Sequence, residues 1–288
     1  MNTPIHVTGI GIVSSIGIGR DEFFAAVRDG RRRSGKIEDF CIEDYLETEK
    51  TYLDHCSAFA LAACAMALKD AQLPPSCIHH PSASSGICLG TALGCLQTME
   101  DFFLRVIEKG PRYANSLLFS HSYANSPTSL AAIEFGLAGY HSTATSGESS
   151  SLIALMQSLN ALRLGYAERI VTGGVDALSE ALQRVWAQIY PDRMPGEGAA
   201  VFVLETETAV VERGLQPAAF PRIVVQSAHC DGASPAADSI ERDIGFVVGA
   251  MDAFNTATAM GELEDAASKQ VAALSNSTPQ YQILLSRD

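Results

Sequence analysis

The chain has 288 residues, 47% hydrophobic and 18% charged, with a formal net charge of -13. That length suits one large domain or two tightly packed halves, and the composition excludes a disordered or collagen-like chain. The acidic balance argues against nucleic acid as the main partner, and no apolar run is long and pure enough to span a bilayer.

The opening residues, MNTPIHVTGIGIVSSIG, lack a basic region followed by an apolar core and a cleavage site, so no secretion signal is expected. Ile5 to Val13 reads as a strand rich in Ile and Val. It contains Gly9-Ile10-Gly11, but Ser14 stands where a dinucleotide fingerprint needs its third glycine, so no nucleotide site is expected. Asp21 opens a short helix over Glu22 to Arg28, and Gly30 closes it. The basic cluster Arg31, Arg32, Arg33 and Lys36 follows. It reads as a solvated loop, with docking of an acidic carrier protein as the sharper alternative.

Ser57 to Gln72 is an Ala- and Leu-rich helix ended by Pro74-Pro75, and Gly86 to Gly90 is a short apolar strand. After Gly94, the residues Leu96, Met99, Phe103 and Ile107 recur at helical spacing, and Gly110-Pro111 stops the helix. In NSPTSLAAIEFGLAG, Pro127 marks a helix start and Gly136 and Gly139 its end. His141 to Thr145 fits a strand. Leu152 to Leu164 is apolar on nearly every side, which predicts a buried helix. ERIVTGGVDAL, Glu197 to Glu205, Arg222 to Ser227 and Tyr281 to Leu285 read as strands, and Gly245 to Met260 as a helix. Strands and helices alternate, and several strands are unbroken apolar runs. That pattern predicts an α/β protein whose sheet is covered on both faces.

The seven cysteines include no C-x-x-C pair, so neither a zinc ribbon nor a thioredoxin-like centre is expected, and no metal or cofactor. Several sit in apolar stretches, such as Cys64 and Cys88, where a reduced, inert thiol is the default. An odd number without an export signal fits a reducing cytoplasm.

The stretch ATSGESSSL, Ala144 to Leu152, carries the chemical question. Small residues run into an apolar helix, the kind of turn on which enzymes set a nucleophile. The N–H groups and partial positive charge of a helix N-terminus would stabilise a thiolate there. Here the turn holds Glu148. A carboxylate is a poor acyl acceptor. It would serve as a general base if a partner raised its pKa, or as a helix cap beside Ser146 and Ser149.

VTGIGIVSSIG, GICLGTALG, NSPTSLAAIEFGLAGYHSTATSGESSSL, ERIVTGGVDAL and PGEGAAVFVLE fall in the order found in β-ketoacyl synthases. The chain resembles that family across its first half. The resemblance implies a thiolase-like layered fold (α-β-α-β-α) with a shortened second half. Residues 1–210 would form the ketosynthase-like half and 211–288 a truncated half packed onto it as one unit. Matching Ser150-Ser151-Leu152 to the end of the family's T-A-C-A-S-S turn puts Glu148 at the nucleophilic cysteine. Matching ERDIGFVVGAMDAF puts Phe246 at a catalytic histidine and Glu241 at a lysine. The H-G-T histidine has no equivalent. His229 lies in a loop before that motif, and SNSTPQYQILL replaces the closing glycine-rich loop.

Cysteine supplies the family's nucleophile, and its histidines steer decarboxylation and stabilise the oxyanion. Their joint loss implies a subunit with no catalytic residues. The resemblance then extends to the chain length factors of type II polyketide synthases, and most to the truncated partner subunits of aryl polyene systems. It implies a cytoplasmic heterodimer with a full-length catalytic ketosynthase, working on an acyl carrier protein that bears a polyene or polyketide chain. Leu96, Met99, Phe102 and Phe103 would line or gate the acyl tunnel, unless they are ordinary core residues. Tyr123, Asn125, Ser126 and Pro127 would lie at the interface. The alternatives are a malonyl-carrier decarboxylase that supplies priming units, an acyltransferase using Cys230 beside His229, and a purely stabilising scaffold.

Overall fold

The protein is described by a computed structural model covering residues 3–73, 81–227, 238–265, 270–274 and 281–287. Pro74, Pro75, Cys77, His229, Cys230 and the stretch 275–280 lie outside the described residues.

The first half runs β1 (Ile5–Ser14), β2 (Gly17–Ile18), α1 (Arg20–Arg28), α2 (His55–Asp70), β3 (Ser85–Gly90), α3 (Leu96–Lys109) and α4 (Ser116–His121). It continues with α5 (Ser126–Glu134), β4 (His141–Ala144), α6 (Ser150–Arg163), β5 (Arg169–Asp176), α7 (Glu180–Ile189) and β6 (Gly198–Thr206). The remainder holds α8 (Glu207–Glu212), β7 (Arg222–Ser227), α9 (Asp238–Ile244), α10 (Met251–Asp265), β8 (Gln270–Leu274) and β9 (Tyr281–Ser286).

The strands follow the order β4-β3-β5-β6-β1-β7-β9-β8, with β2 folded back on β1. The β1–β7 junction is a single registered pair, His6 with Arg222, so the order divides into a five-stranded and a three-stranded part. In the five-stranded part β4, β3 and β5 are parallel, and β6 runs antiparallel to β5 and β1. All ten residues of β1 are buried, the polar His6, Thr8 and Ser14 among them, as in a strand covered on both faces.

One face carries α2, whose Ala60, Ala62, Ala63 and Ala67 are fully buried. The small side chains bring its backbone against β1: a Cβ on Gly11 would lie 2.0 Å from the Ala63 carbonyl oxygen. Gly9-Ile10-Gly11 is therefore a packing motif. The opposite face carries α6 and α10 side by side, and α10 also packs against β8 and β9. Helix, sheet, paired helices and a second group of strands thus stack as layers, giving the expected α/β class. In β7 and β9 the residues Ile223, Ile283 and Leu285 are buried, whereas Val224 is exposed, the alternation of a strand pair with one wet face.

Several expectations need correction. The helix read from Gly245 to Met260 begins only at Met251. Gly245 takes a positive φ of 81°, and the Gly249 N–H is donated to the Asp176 carboxylate, so residues 245–250 are a loop despite their apolar composition. The buried helix α6 ends at Arg163, and Leu164 is exposed. Helices α4, α7 and α8 and strand β8 were not anticipated. The basic cluster is engaged locally: Arg31 pairs with Glu22 at 3.6 Å, Arg32 with Asp243 at 3.2 Å and Arg33 with Glu38 at 3.1 Å.

Candidate functional site

The β4–α6 turn is built by close approach and then pinned from behind. A Cβ on Gly90, at the end of β3, would lie 2.3 Å from the Ser150 carbonyl, so only glycine lets the first turn of α6 sit on the strand. The Ser150 hydroxyl accepts from the Ser146 N–H at 2.9 Å and donates to the Gly147 carbonyl at 2.6 Å. The Ser151 N–H donates to the Gly249 carbonyl at 2.9 Å, and the Ser151 hydroxyl accepts from the Ala253 N–H at 3.2 Å. The turn is thereby fastened to the loop that leads into α10.

Asp176, fully buried at the end of β5, holds the same junction. Its carboxylate accepts from the Thr91 hydroxyl at 2.6 Å and from the N–H groups of Gly249, Leu93 and Ala92 at 2.6, 2.8 and 3.0 Å. Burial pushes its pKa up, and the four donors oppose that shift without cancelling it. It touches only the scaffold, so its work is structural.

In front of the junction, Glu148 lies in a single helical turn over residues 147–149. The side-chain caps expected here are not made: neither Ser146 nor Ser149 caps with its side chain. Glu148 turns outward instead, and its Oε2 accepts from Nη1 of Arg193 at 3.3 Å. Arg193 lies in the loop between α7 and β6. Its Nε is 3.6 Å from Glu241 Oε1, and its guanidinium carbon stands 3.9 Å from the centroid of the Phe246 ring. Tyr190 meets the same ring edge-on at 5.3 Å, and Trp186 packs on Tyr190 at 4.9 Å.

Glu148, Glu241 and Phe246, which motif order sets at a cysteine, a lysine and a histidine, therefore surround one arginine. Reading the sequence missed Arg193 along with Trp186 and Tyr190. The only available signal was the single tryptophan, seven residues before that arginine. In this cluster the Glu148 carboxylate is paired with a guanidinium, and the phenyl ring of Phe246 neither donates nor accepts a proton.

Burial raises the thiol pKa of Cys56, Cys64 and Cys95, and pushes that of Cys88 up to about 11. Exposed Cys41 is raised by its hydrogen bond to Glu43. Burial thus favours the thiol over the thiolate at the four buried positions, whereas Cys41 is open to solvent. Among the described residues no cluster of His, Cys, Asp and Glu could hold a metal, and no helix is long and apolar enough to cross a membrane.

The second candidate region is the outer face of α3 and α4. Only Thr98 is buried on α3. Phe103 is 54% exposed and Met99 37%, beside exposed Leu104 and Ile107. The Phe102 ring meets Phe103 at 5.5 Å and Phe119 of α4 at 5.5 Å, and Phe119 meets Tyr123 at 5.1 Å. These rings form one ladder across the surface. Leu96 stands apart: it packs on the core and lines a cavity of about 190 Å³ with Lys36, His55 and Leu178. Asn125 is exposed at the start of α5, whereas Ser126 and Pro127 are buried by their own chain.

The "Beta-ketoacyl synthase, N-terminal domain" family model matches residues 39–188, more than half of the chain. The chain belongs to the β-ketoacyl synthase family. A chloroplastic 3-oxoacyl-[acyl-carrier-protein] synthase I from Arabidopsis thaliana is 24% identical over 249 residues, covering 73% of this chain and 53% of that protein. "Actinorhodin polyketide putative beta-ketoacyl synthase 2" from Streptomyces coelicolor is 26% identical over 248 residues, covering 73% of this chain and 60% of that protein. This family member spans about half the length of the curated relatives it matches. Its fold is that of the ishigamide ketosynthase/chain length factor, with a TM-score of 0.80 at 17% identity over 100% of both chains. A ketosynthase in a type II polyketide acyl-carrier-protein complex superposes with a TM-score of 0.78, also at 17% identity and full coverage of both chains. The fold is therefore thiolase-like.

Proposed function

We propose that this chain is a non-catalytic subunit of a heterodimeric ketosynthase, acting as a chain length factor. An active full-length partner condenses units on an acyl carrier protein, and this chain shapes the tunnel into which the polyene or polyketide product grows. Residues 1–210 supply the ketosynthase-like half on this reading, and 211–288 a shortened half packed on it. The observation that supports the reading is the Glu148–Arg193–Phe246 cluster: motif order matches Glu148 to a nucleophile and Phe246 to a histidine, and neither side chain has that chemistry.

The aromatic ladder supports the second part of the reading. An apolar stripe left wet on a helix is a surface that a partner or an acyl chain covers. Phe102, Phe103 and Met99 are the tunnel candidates on that stripe, and Tyr123 and Asn125 the interface candidates beside it. The strand β4 ends the sheet order, which leaves an open edge for pairing nearby.

A malonyl decarboxylase is disfavoured by the pairing at the site. Glu148 and Glu241 already flank Arg193, so its guanidinium is engaged before a malonyl carboxylate arrives. The test is reconstitution. The isolated chain should neither transfer acyl groups nor decarboxylate malonyl carrier protein, and co-expression with an active ketosynthase should give a copurifying pair that elongates. Turnover by the isolated chain, or elongation of unchanged rate and length without it, overturns the proposal.

A further inference from the structure

We infer that Arg193 is a built-in plug. Its guanidinium, held between Glu148 and Glu241 and seated on the Phe246 ring, fills the space an acyl thioester would need to reach position 148. The inference rests on the reading of this chain as a silent subunit and deepens it by naming the group that closes the site.

The geometry has three independent parts. First, the anchors come from three separate segments: the turn before α6, helix α9 and the loop before α10. Convergence from three segments fixes where the cation sits. Second, the backbone that presents Arg193 is itself fixed. The Trp186 indole N–H donates to the Arg193 carbonyl at 2.7 Å, and the Phe246 N–H donates to the Met194 carbonyl at 2.7 Å. The Gly35 N–H donates to the Pro195 carbonyl at 2.7 Å. A surface arginine on a loose loop has no such support. Third, the 3.9 Å between guanidinium and ring is van der Waals contact, so no layer of ligand fits between them.

The energetics favour closure against apolar ligands in particular. To admit an acyl chain, Arg193 must leave two carboxylates and a π face, and the chain offers nothing in exchange for either. Partly exposed ion pairs and a cation–π contact are individually weak, and together they set a bias on the order of tenfold or more. Water and small polar molecules can pass such a side chain. A long acyl chain has to displace it.

The experiment installs a thiol with Glu148→Cys in the full chain. Its alkylation rate is measured with iodoacetamide and with N-dodecyl iodoacetamide, which share one warhead and differ only in the chain. The ratio of the two rates cancels any change in thiolate fraction that Arg193 imposes. Wild-type protein corrects for exposed Cys41, and peptide mass mapping locates the label. In Glu148→Cys alone Arg193 loses one carboxylate but keeps Glu241 and the Phe246 ring, so the dodecyl reagent should still lag. Adding Arg193→Ala should raise the dodecyl-to-iodoacetamide ratio at least tenfold. Arg193→Lys keeps a cation but loses the planar fork; it should raise the ratio as well, and it serves if the alanine variant does not fold. A ratio unchanged in a folded variant of either kind overturns the plug and leaves the silent-subunit reading standing. Acyl turnover by the wild-type chain removes the reading on which the plug rests.

Discussion

The β4–α6 turn and the α3–α4 face differ in how far each is satisfied by its own chain. At the turn, Glu148, Glu241, Arg193 and Phe246 answer one another, and the buried junction behind them is closed by Asp176 and Ser151. On the α3–α4 face, large rings touch chiefly each other and stand in water. The turn's charged and aromatic side chains are paired with one another, and the rings of the α3–α4 face are left open to water. On the chain length factor reading, function would fall to that open surface rather than to reactive groups at the turn.

The largest effect should come from behind the turn. Asp176→Ala leaves the N–H groups of Ala92, Leu93 and Gly249 and the Thr91 hydroxyl without their acceptor in a buried site. Each orphaned group costs about 1–3 kcal/mol and the losses are not additive, so the expected destabilisation is on the order of 4 kcal/mol by urea unfolding. The pH dependence has a definite sign. Burial holds the Asp176 and Glu197 carboxyls above their ordinary pKa, so the folded state keeps their protons longer than the unfolded chain does. Their contribution is fully present below the unfolded values and is lost as pH rises through the folded ones. Stability of the wild type should fall along that limb. The Asp176→Ala variant should show a shallower fall.

The open face should respond in the reverse way. Phe119→Asp breaks the ladder at its middle, where the ring contacts both Phe102 and Tyr123. The residue is 48% exposed, so folding should change by less than about 1 kcal/mol. Affinity for the ketosynthase partner should drop by about 30-fold or more, as expected for an aromatic anchor worth about 2 kcal/mol. Unchanged affinity in the folded variant would show that the face is not an interface. A smaller, qualitative effect is expected for Phe103→Ala. In the reconstituted pair it should lengthen the product distribution if the ring limits the tunnel. A fall in yield with an unchanged distribution would support a stabilising scaffold instead.

Most strands were legible because they are apolar runs bounded by glycine. The loop at 245–250 was not. Its residues, GFVVGA, are as apolar as a buried helix, and what forbids the helix is a hydrogen bond from Gly249 to a carboxylate 73 positions earlier. The same limit hid half of the candidate site. Motif order was enough to single out Glu148, Glu241 and Phe246, each in a recognisable segment. Arg193 sits in YPDRMPGEG, and its ion-pair partner Glu148 is 45 positions away, so no local pattern marks it. On the other face, Phe102 and Phe103 were visible through the period of a 14-residue helix. Phe119 was not, because α4 has six residues and gives no period to read.

The smallest predicted effect is the one that bears most directly on the contrast. Glu148→Ala removes the carboxylate that motif order matches to the family's nucleophile. A catalytic or essential structural group would make that change costly. Here the side chain is 39% exposed and its partner Arg193 keeps Glu241 and the Phe246 ring. A solvent-screened pair of this kind contributes about 0–1 kcal/mol, so unfolding should shift by no more than that, and less at high salt. Elongation by the reconstituted pair should persist at close to the wild-type rate. If it collapsed while folding and pairing stayed intact, Glu148 would be taking part in the reaction, and the turn could no longer be regarded as sealed.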